Sequence, residues 1–182
     1  MTISRPDFDI DELLTTPTSS WHKKIAGDLL SEIERHLVEI GTIPEMRRFL
    51  AVKGYRELHQ RIEHELEGKS GSDALRAMAY AIRNYSLECP GLSAAIFRDP
   101  VIDSLEWQKA GSKLAQTVSR VFAELGFEGE QAQHALRILR SLIRGFVIHE
   151  MAASYLESLE YERSYELAID VFIRGLPALY AK

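Results

Sequence analysis

Histidine is the residue type in this sequence best suited to catalysis or metal binding, and it occurs six times, at positions 22, 36, 59, 64, 134 and 149. A helical metal site needs two histidines on one face, as in HExxH. No pair is spaced i, i+4, and His59 and His64 lie about 140° apart on a helix. His149, next to Glu150, falls on an apolar helix side and is expected to be a core or interface residue. The histidines therefore predict no metal site.

The other reactive groups also lack the neighbours that catalysis requires. Cys89 is the only cysteine, so no intrachain disulfide is expected, and no basic residue beside it activates the thiol. The glycines of GKSGS at 68–72 do not have the spacing of a phosphate-binding loop, so we interpret this stretch as a linker. No serine elbow or carboxylate constellation occurs. The sequence predicts a protein that is not an enzyme and uses no cofactor.

The composition bounds the class of protein. The chain has 182 residues, 46% hydrophobic and 27% charged, which suits one globular domain. Its net charge of −5 is unlike that of a protein that coats nucleic acid. No apolar run reaches the roughly 18–20 residues of a membrane span, and no signal peptide opens the chain. A cytoplasmic protein without membrane contact is expected.

Helical periodicity accounts for nearly all of the chain. Residues 1–20 are polar and acidic and are predicted to be a flexible arm. Apolar residues at helical spacing, with Gly, Pro and Ser at the ends, predict helices over about 21–40, 45–66, 72–88, 92–98, 102–125, 130–156 and 162–179. Ser72 is predicted to cap the third of these helices, and Cys89-Pro90-Gly91 to separate it from the fourth. With no β-patterned run, the predicted fold is all-α.

The helix over 130–156 is the element around which the fold is expected to be organised. It is apolar over more than half of its circumference, and only Arg137, Arg140 and Arg144 form a charged stripe. Such a helix must bury two sides. It is either the central helix of a monomeric bundle or a dimerisation helix.

The apolar helix over 162–179 favours dimerisation, because two such helices in succession make half of an intersubunit four-helix bundle. We therefore predict a homodimer that buries more than about 2,000 Å² in total. The predicted interface residues are Leu142, Gly145, His149, Ala153, Ile169, Phe172 and Ile173.

Three stretches carry a resemblance to a known family: LAVKGYRELHQRI (50–62), AYAIRNYSLECPGLSAAIFR (79–98) and the run from IRGFVIHEM to VFIRGL (143–176). In order, spacing and helix length they resemble the C-terminal regulatory domain of the tetracycline-repressor (TetR) family of transcriptional regulators. The resemblance covers about residues 47–179. It implies antiparallel helices, a two-helix dimerisation element and a pocket for a small apolar effector in each subunit.

In the resembled fold the pocket lies among the helices at 73–88, 92–98, 102–125 and 130–156. Aromatic and aliphatic side chains there suit a flat, apolar, drug-sized ligand, which needs a cavity above about 300 Å³. The alternative is that these side chains simply fill the core. The predicted lining residues are Met78, Ile82, Tyr85, Phe97, Leu114, Val118, Ile143 and Phe146.

The N-terminal sequence departs from the family pattern. Members open with a helix-turn-helix, but no Ala-Gly-Val-Ser turn and no Tyr-x-His-Phe end occur here. Residues 1–49 hold nine carboxylates against six Lys and Arg, a poor composition for contacting phosphates. We therefore predict one continuous helix over 21–40, and weak or absent sequence-specific DNA binding. The predicted division is an arm (1–20), an atypical helical segment (21–46) and a regulatory and dimerisation domain (47–182).

Three functions remain open at this point. The first is a TetR-like homodimeric regulator that senses an apolar effector and moves its N-terminal segments. The second is a relative of the regulatory domain that has lost DNA binding and acts through a ligand or another protein. The third is a helical dimer that binds no ligand and serves only as an interaction surface.

Overall fold

The computed structural model describes residues 27–28, 31, 43–96, 104–152 and 160–179, and everything regular within them is helical. There is no strand in this part of the chain, so the predicted all-α class is confirmed. The helices are α1 (Ile43–Leu66), α2 (Gly71–Glu88), α3 (Pro90–Ile96), α4 (Leu105–Glu124), α5 (Gly129–Ala152) and α6 (Tyr161–Gly175), and a 3-10 turn follows at Leu176–Leu179.

Some of the predictions fall on positions outside the described residues. These are the arm over 1–20 and most of the helix over 21–40, of which Gly27, Asp28 and Ser31 are described and helical. The side-chain carboxylate of Asp28 accepts a hydrogen bond from the backbone N–H of Gly91 at 2.8 Å. One contact therefore joins this segment to the first turn of α3.

The helix ends follow local chemistry, and several differ from the prediction: α4 starts at Leu105, and the helix predicted to reach 179 ends at Gly175, where a 3-10 turn follows. Gly126 follows α4 in the left-handed conformation, with φ of 84°, which glycine adopts readily at a helix end. The Ser104 hydroxyl caps α4 by accepting from the Trp107 N–H at 3.3 Å. The predicted cap at Ser72 is wrong, because α2 already begins at Gly71. The predicted break over 89–91 is too wide, because Pro90 is already the first residue of α3. Proline suits that position, since the backbone N–H groups of the first turn have no partner within the helix and proline has none.

The centre of the fold is α2, which contacts each of the other five helices. Its buried residues include Leu75, Met78 and Tyr85, and even its Arg83 is buried. The expectation that the 130–156 helix forms the centre is therefore wrong for the single chain. Within one subunit α5 buries only one side, which carries Ala135, Leu139, Ile143 and Val147. None of the described helices combines the length and apolar composition that a membrane span requires.

Candidate ligand-binding site

An apolar cavity of about 180 Å³ lies between helices α1 to α5. Each of the five helices contributes to its wall, and most of the contributed side chains are aliphatic. Two exposed residues, Ala115 and Arg140, also line it, so the cavity reaches the molecular surface between α4 and α5. The lining residues are Tyr55, Leu58 and Ile62 of α1, Ile82 and Ser86 of α2, Ile96 of α3, Gly111, Leu114, Ala115 and Val118 of α4, and Leu136, Arg140 and Ile143 of α5.

Small residues on α4 account for the empty volume. Gly111 and Ala115 are four residues apart and therefore lie one above the other on the face that carries Leu114 and Val118. A Cβ atom at Gly111 would stand 3.9 Å from the ring of Tyr55, an ordinary contact distance. The chain thus leaves room between α1 and α4 that a larger side chain would occupy.

The hydroxyl groups on the wall already have partners. The Tyr55 hydroxyl donates to the carbonyl oxygen of Ile96 at 3.1 Å. The Ser86 hydroxyl donates to the Ile82 carbonyl at 2.8 Å and accepts from the Ser93 hydroxyl at 2.8 Å. Because these hydroxyl groups already donate to protein oxygens, an apolar occupant beside them would leave no hydroxyl donor without a partner. The interior of the cavity therefore favours an apolar occupant.

The cavity is smaller than the sequence led us to expect. A drug-sized ligand needs more than about 300 Å³, whereas this cavity has a volume of about 180 Å³. An apolar protein cavity of about 150 Å³ is known to hold benzene. For a drug-sized ligand, this volume favours the alternative that the side chains simply fill the core, and the expected ligand is corrected to the size of one aromatic ring or a short aliphatic chain.

Four of the predicted ligand-binding residues line the cavity: Ile82, Leu114, Val118 and Ile143. Met78 and Tyr85 are buried but are not part of the wall. Phe146 turns towards α6, where its ring meets that of Tyr165 edge-on at 5.4 Å between centroids. Phe97 lies outside the described residues.

Sequence reasoning missed the contributions of α1 and part of α5. Tyr55, Leu58 and Ile62 follow the i, i+3, i+7 pattern of one helix face, so the signal for an inward stripe was present. Leu136 lies at helical spacing from the apolar residues of α5, whereas Arg140 belongs to the charged stripe. Nothing in the helical period shows that Arg140 also borders a cavity.

The predicted dimer residues fall into two groups. Leu142, Gly145 and Ile173 are half-buried and His149 is exposed, so all four retain surface for a partner. Ile169 and Phe172 are buried inside the single chain instead, and Ala153 lies outside the described residues. The two buried residues share a helix face with Tyr165, whose hydroxyl donates to the Ala79 carbonyl at 2.7 Å. That face packs on α2, so these two predictions are corrected.

The side chains that do face outward on these helices were not all predicted. Ile138 on α5 is 47% exposed, and Leu167 and Val171 on α6 are 48% and 71% exposed. Ile138 continues the stripe of Leu142, Gly145 and His149 at helical spacing. Leu167 and Val171 are four residues apart on one side of α6.

A polar cluster between α1 and α4 has the residue types of a nucleophile, a base and an acid. His59 Nε2 lies 3.1 Å from the Thr117 hydroxyl oxygen, which donates to Glu63 at 2.5 Å. This geometry sends the hydroxyl proton to the carboxylate rather than to the imidazole, and Thr117 is buried. Arg120 also binds Glu63, at 2.9 Å. The cluster therefore ties α1 to α4 and has no accessible nucleophile. Among the described residues, no three His, Cys, Asp or Glu side chains are grouped so as to hold a metal ion.

Comparison with known proteins identifies the family. The family model described as "Tetracyclin repressor-like, C-terminal domain" matches residues 75–172, which is more than half of the chain. The protein belongs to the TetR family. The matched region contains most of α2, all of α3 to α5, and α6 as far as Phe172. It therefore includes the cavity walls formed by α2 to α5 and most of the outward faces of α5 and α6.

Two bacterial proteins with similar sequences carry names of the same kind. One, YobS of Bacillus subtilis, is named an uncharacterized HTH-type transcriptional regulator; it is 25% identical over 139 residues, or 75% of this chain and 71% of the relative. The other, Rv0681 of Mycobacterium tuberculosis, has the same kind of name and is 29% identical over 113 residues, or 62% of this chain and 52% of the relative. The chain is thus a transcriptional regulator of the TetR family, which is not a family of enzymes.

Proposed function

We propose that this TetR-family regulator is a homodimer that senses a small apolar effector in the cavity between α1 and α5. The observation that carries the proposal is the cavity itself. Protein interiors are close-packed, and voids larger than a water molecule are few. The volume of about 180 Å³, with an apolar wall and an opening at the surface, is large enough to hold one aromatic ring.

The position of the cavity supports a way for an effector to act on the N-terminal segment. Tyr55 and Ile96 both line the cavity and are joined by a hydrogen bond between α1 and α3. At the other end of α3, Gly91 binds Asp28 of the N-terminal segment. An occupant that displaces α3 or α1 would therefore shift the residues that precede α1. The effector can move this equilibrium only by the difference in its affinity for the two arrangements.

The proposed assembly is supported by apolar surface that the single chain leaves exposed. Ile138, Leu167 and Val171 lie on α5 and α6, opposite the sides that these helices bury in the subunit core. Gly145 has no atom within 4 Å of where its Cβ would stand, so another helix can approach closely there. A twofold-related copy would cover this face and form a four-helix bundle.

The substitution Val171→Glu tests the assembly. It places a charge in the proposed interface at a side chain that is 71% exposed in the subunit, so the subunit should still fold. By light scattering at micromolar concentration, we expect a dimer for the unaltered protein and a monomer for Val171→Glu. The control is Leu105→Glu, also at an exposed position (73%), at the start of α4, and it should remain a dimer. A monomeric unaltered protein would refute the dimer.

The substitution Ala115→Phe tests the cavity, because it adds a ring at the exposed mouth. A neutral single-ring probe, benzyl alcohol, should stabilise the unaltered protein by mass action and so raise its melting temperature. At a concentration of 100 Kd, the free energy of unfolding should increase by about 2.7 kcal/mol. Ala115→Phe should reduce this increase. The control Leu105→Phe adds the same ring away from the cavity and should retain it. Equal melting temperatures with and without probe would count against an effector site.

A second function is favoured by the acidic composition of residues 1–49. In it, the protein is a relative of the regulatory domain that acts by binding a ligand or another protein, without contacting DNA itself. An electrophoretic shift with the DNA upstream of its own gene separates the two. Nanomolar, salt-resistant binding to one operator supports the direct regulator. Binding weaker than about micromolar, in the non-specific range, supports the second function.

A further inference from the structure

Ser86 places a buried hydroxyl group in the mainly aliphatic wall of the cavity. It lies four residues after Ile82 on α2, so the two side chains share the helix face that borders the cavity. The residue is only 2% exposed. A buried hydroxyl costs free energy unless its hydrogen-bonding groups find partners. What Ser86 can offer an occupant therefore depends on which of these groups already have partners.

The hydrogen bonds around Ser86 fix the direction of its hydroxyl proton. A serine hydroxyl has one proton to donate and two lone pairs that accept. The Ile82 carbonyl, 2.8 Å from the Ser86 hydroxyl oxygen, can only accept, so it takes the single Ser86 proton. The Ser93 hydroxyl on α3, also at 2.8 Å, must then be the donor in its contact with Ser86. Ser86 consequently has no proton left for a ligand.

The Ser86 oxygen can still accept one more hydrogen bond. One of its two lone pairs accepts from Ser93, and within the described part of the chain no second group donates to it. The Tyr55 hydroxyl, also in the wall, gives its proton to the Ile96 carbonyl. Neither hydroxyl of the wall therefore has a proton for an occupant, whereas Ser86 can accept one from it.

A neutral donor suits this interior better than a charged one. Burial of an unpaired charge costs far more free energy than burial of a hydroxyl group. The described wall residues include no Asp or Glu that would pair with an ammonium group, and Arg140 at the mouth already interacts with another group of the chain. Asp99 and Asp103, between α3 and α4, lie outside the described residues. Among donors, the described wall therefore favours a neutral hydroxyl group.

We propose that the cavity binds a small phenol or alcohol, a neutral molecule whose O–H group donates a hydrogen bond to the hydroxyl oxygen of Ser86. This rests on the effector-sensing function proposed above and specifies its ligand class. The aliphatic wall holds the apolar body of the ligand, and the volume of about 180 Å³ limits that body to a single ring or a short chain. The bond to Ser86 replaces the hydrogen bond that the ligand loses on leaving water.

Phenol and fluorobenzene test the hydrogen bond, because they have nearly the same shape and only phenol can donate. Each is titrated into the full chain at pH 7 by calorimetry or ligand-observed NMR. The two probes also differ in hydration, so the informative quantity is how much a substitution changes the affinity of each. Ser86→Ala should weaken phenol binding about fivefold, equivalent to about 1 kcal/mol for one net hydrogen bond. Fluorobenzene binding should change by less than about twofold, since no hydrogen bond is lost.

Two further variants separate this hydrogen bond from the stability of the fold. Ser86→Ala leaves the buried Ser93 hydroxyl without its acceptor, which destabilises the contact between α2 and α3. The double variant Ser86→Ala/Ser93→Ala removes both hydroxyls, so no donor is left unpaired, and it should show the same loss of phenol affinity. Ser93→Ala is the matched control, because Ser93 does not line the cavity and the Ser86 oxygen is kept. It should bind phenol as tightly as the unaltered protein does.

Failure of this proposal can be distinguished from failure of the cavity as a ligand site. If Ser86→Ala weakened both probes alike, or neither, while Ala115→Phe reduced the binding of both, the cavity would remain a ligand site and the bond to Ser86 would be overturned. Benzylamine, a cation close in size to benzyl alcohol, should bind more weakly than benzyl alcohol, and tighter binding would overturn the neutral class. No binding of phenol, fluorobenzene or benzyl alcohol would contradict the ligand class and the effector site together.

Discussion

The guanidinium of Arg83 on α2 binds both carboxylate oxygens of Glu150 on α5, at 2.8 and 3.1 Å. The arginine side chain is only 7% exposed, and its guanidinium also lies over the ring of Tyr165 on α6, 5.1 Å from the centroid. One buried cation thus joins the central helix to both helices of the proposed dimer interface. Its other partners, the Tyr165 ring and the side-chain oxygen of Asn84 at 3.4 Å, are neutral, so its charge depends on Glu150 for compensation.

Glu150→Ala should therefore destabilise the protein by about 3 kcal/mol, since breaking a buried pair leaves an uncompensated charge. We place the value at the lower end of the known range because the Glu150 side chain is 23% exposed. The measurement is urea unfolding followed by circular dichroism. Glu166→Gln is the control, because it removes an exposed pair with Arg163 and should cost less than about 1 kcal/mol. Equal small losses for both variants would contradict the role assigned to Glu150.

Gly54 lies where α1 and α3 approach most closely. A Cβ atom there would stand 2.8 Å from Ile96 Cγ2 and 2.9 Å from the Leu92 carbonyl oxygen, and a backbone oxygen cannot rotate away. Gly54→Ala should destabilise the protein by about 1–3 kcal/mol through overpacking, although alanine is the better helix former. Thermal or urea unfolding measures this change.

Gly111→Ala is the matched control for Gly54→Ala, since it is the same substitution inside another helix. The nearest atoms to its Cβ would be 3.9 Å away, on the Tyr55 ring. Helix propensity should then dominate, and stability should rise by up to about 1 kcal/mol. If both variants gained stability, the contact between α1 and α3 would be looser than described here.

Glu63 provides a prediction about pH. The hydrogen bond from Thr117, followed by the charge of Arg120, lowers the pKa of this carboxyl below its ordinary value of 4.5. A carboxyl with a lowered folded-state pKa stabilises the fold above its unfolded-state pKa, and this contribution is lost as the pH falls through the folded-state pKa. Glu63→Gln should therefore be less stable than the unaltered protein at pH 7, by about 0.5–1 kcal/mol because the pair is partly exposed.

The difference caused by Glu63→Gln should shrink below pH 4.5 and vanish once the folded carboxyl is protonated. Unfolding at a series of pH values measures it. Glu65→Gln changes an exposed carboxylate on the same helix and serves as the control. A stability difference that stays constant from pH 7 to pH 3 would show that the ionised carboxylate is not what stabilises the contact.

The helices could be predicted from the sequence because their signals are local. A 3.6-residue period identifies inward residues such as Leu58 and Ile62, and Gly126 marks the end of α4. The boundary at Cys89-Pro90 was placed less well, because proline is compatible both with a break and with the first turn of a helix.

The cavity could be predicted only in part, because periodicity distinguishes inward from outward but not packed from unpacked. Met78 and Ile82 are both inward residues of α2, yet only Ile82 borders the empty volume. Part of that volume lies beside Gly111 of α4 and Tyr55 of α1, which face each other although they are far apart in sequence. The same limit explains the central position of α2 and the burial of Ile169, since no local pattern shows which helix packs on which face.

Methyl NMR of the Ile, Leu and Val side chains shows whether a small ligand occupies the cavity. On titration with benzyl alcohol, we predict that the methyl resonances that shift belong to cavity residues on three helices: Leu58 and Ile62 of α1, Ile82 of α2, and Leu136 and Ile143 of α5. Those of Leu167 and Val171, on the outward face of α6, should stay unchanged. Shifts confined to Leu167 and Val171, or no shifts at millimolar benzyl alcohol, would refute a ligand site in the cavity.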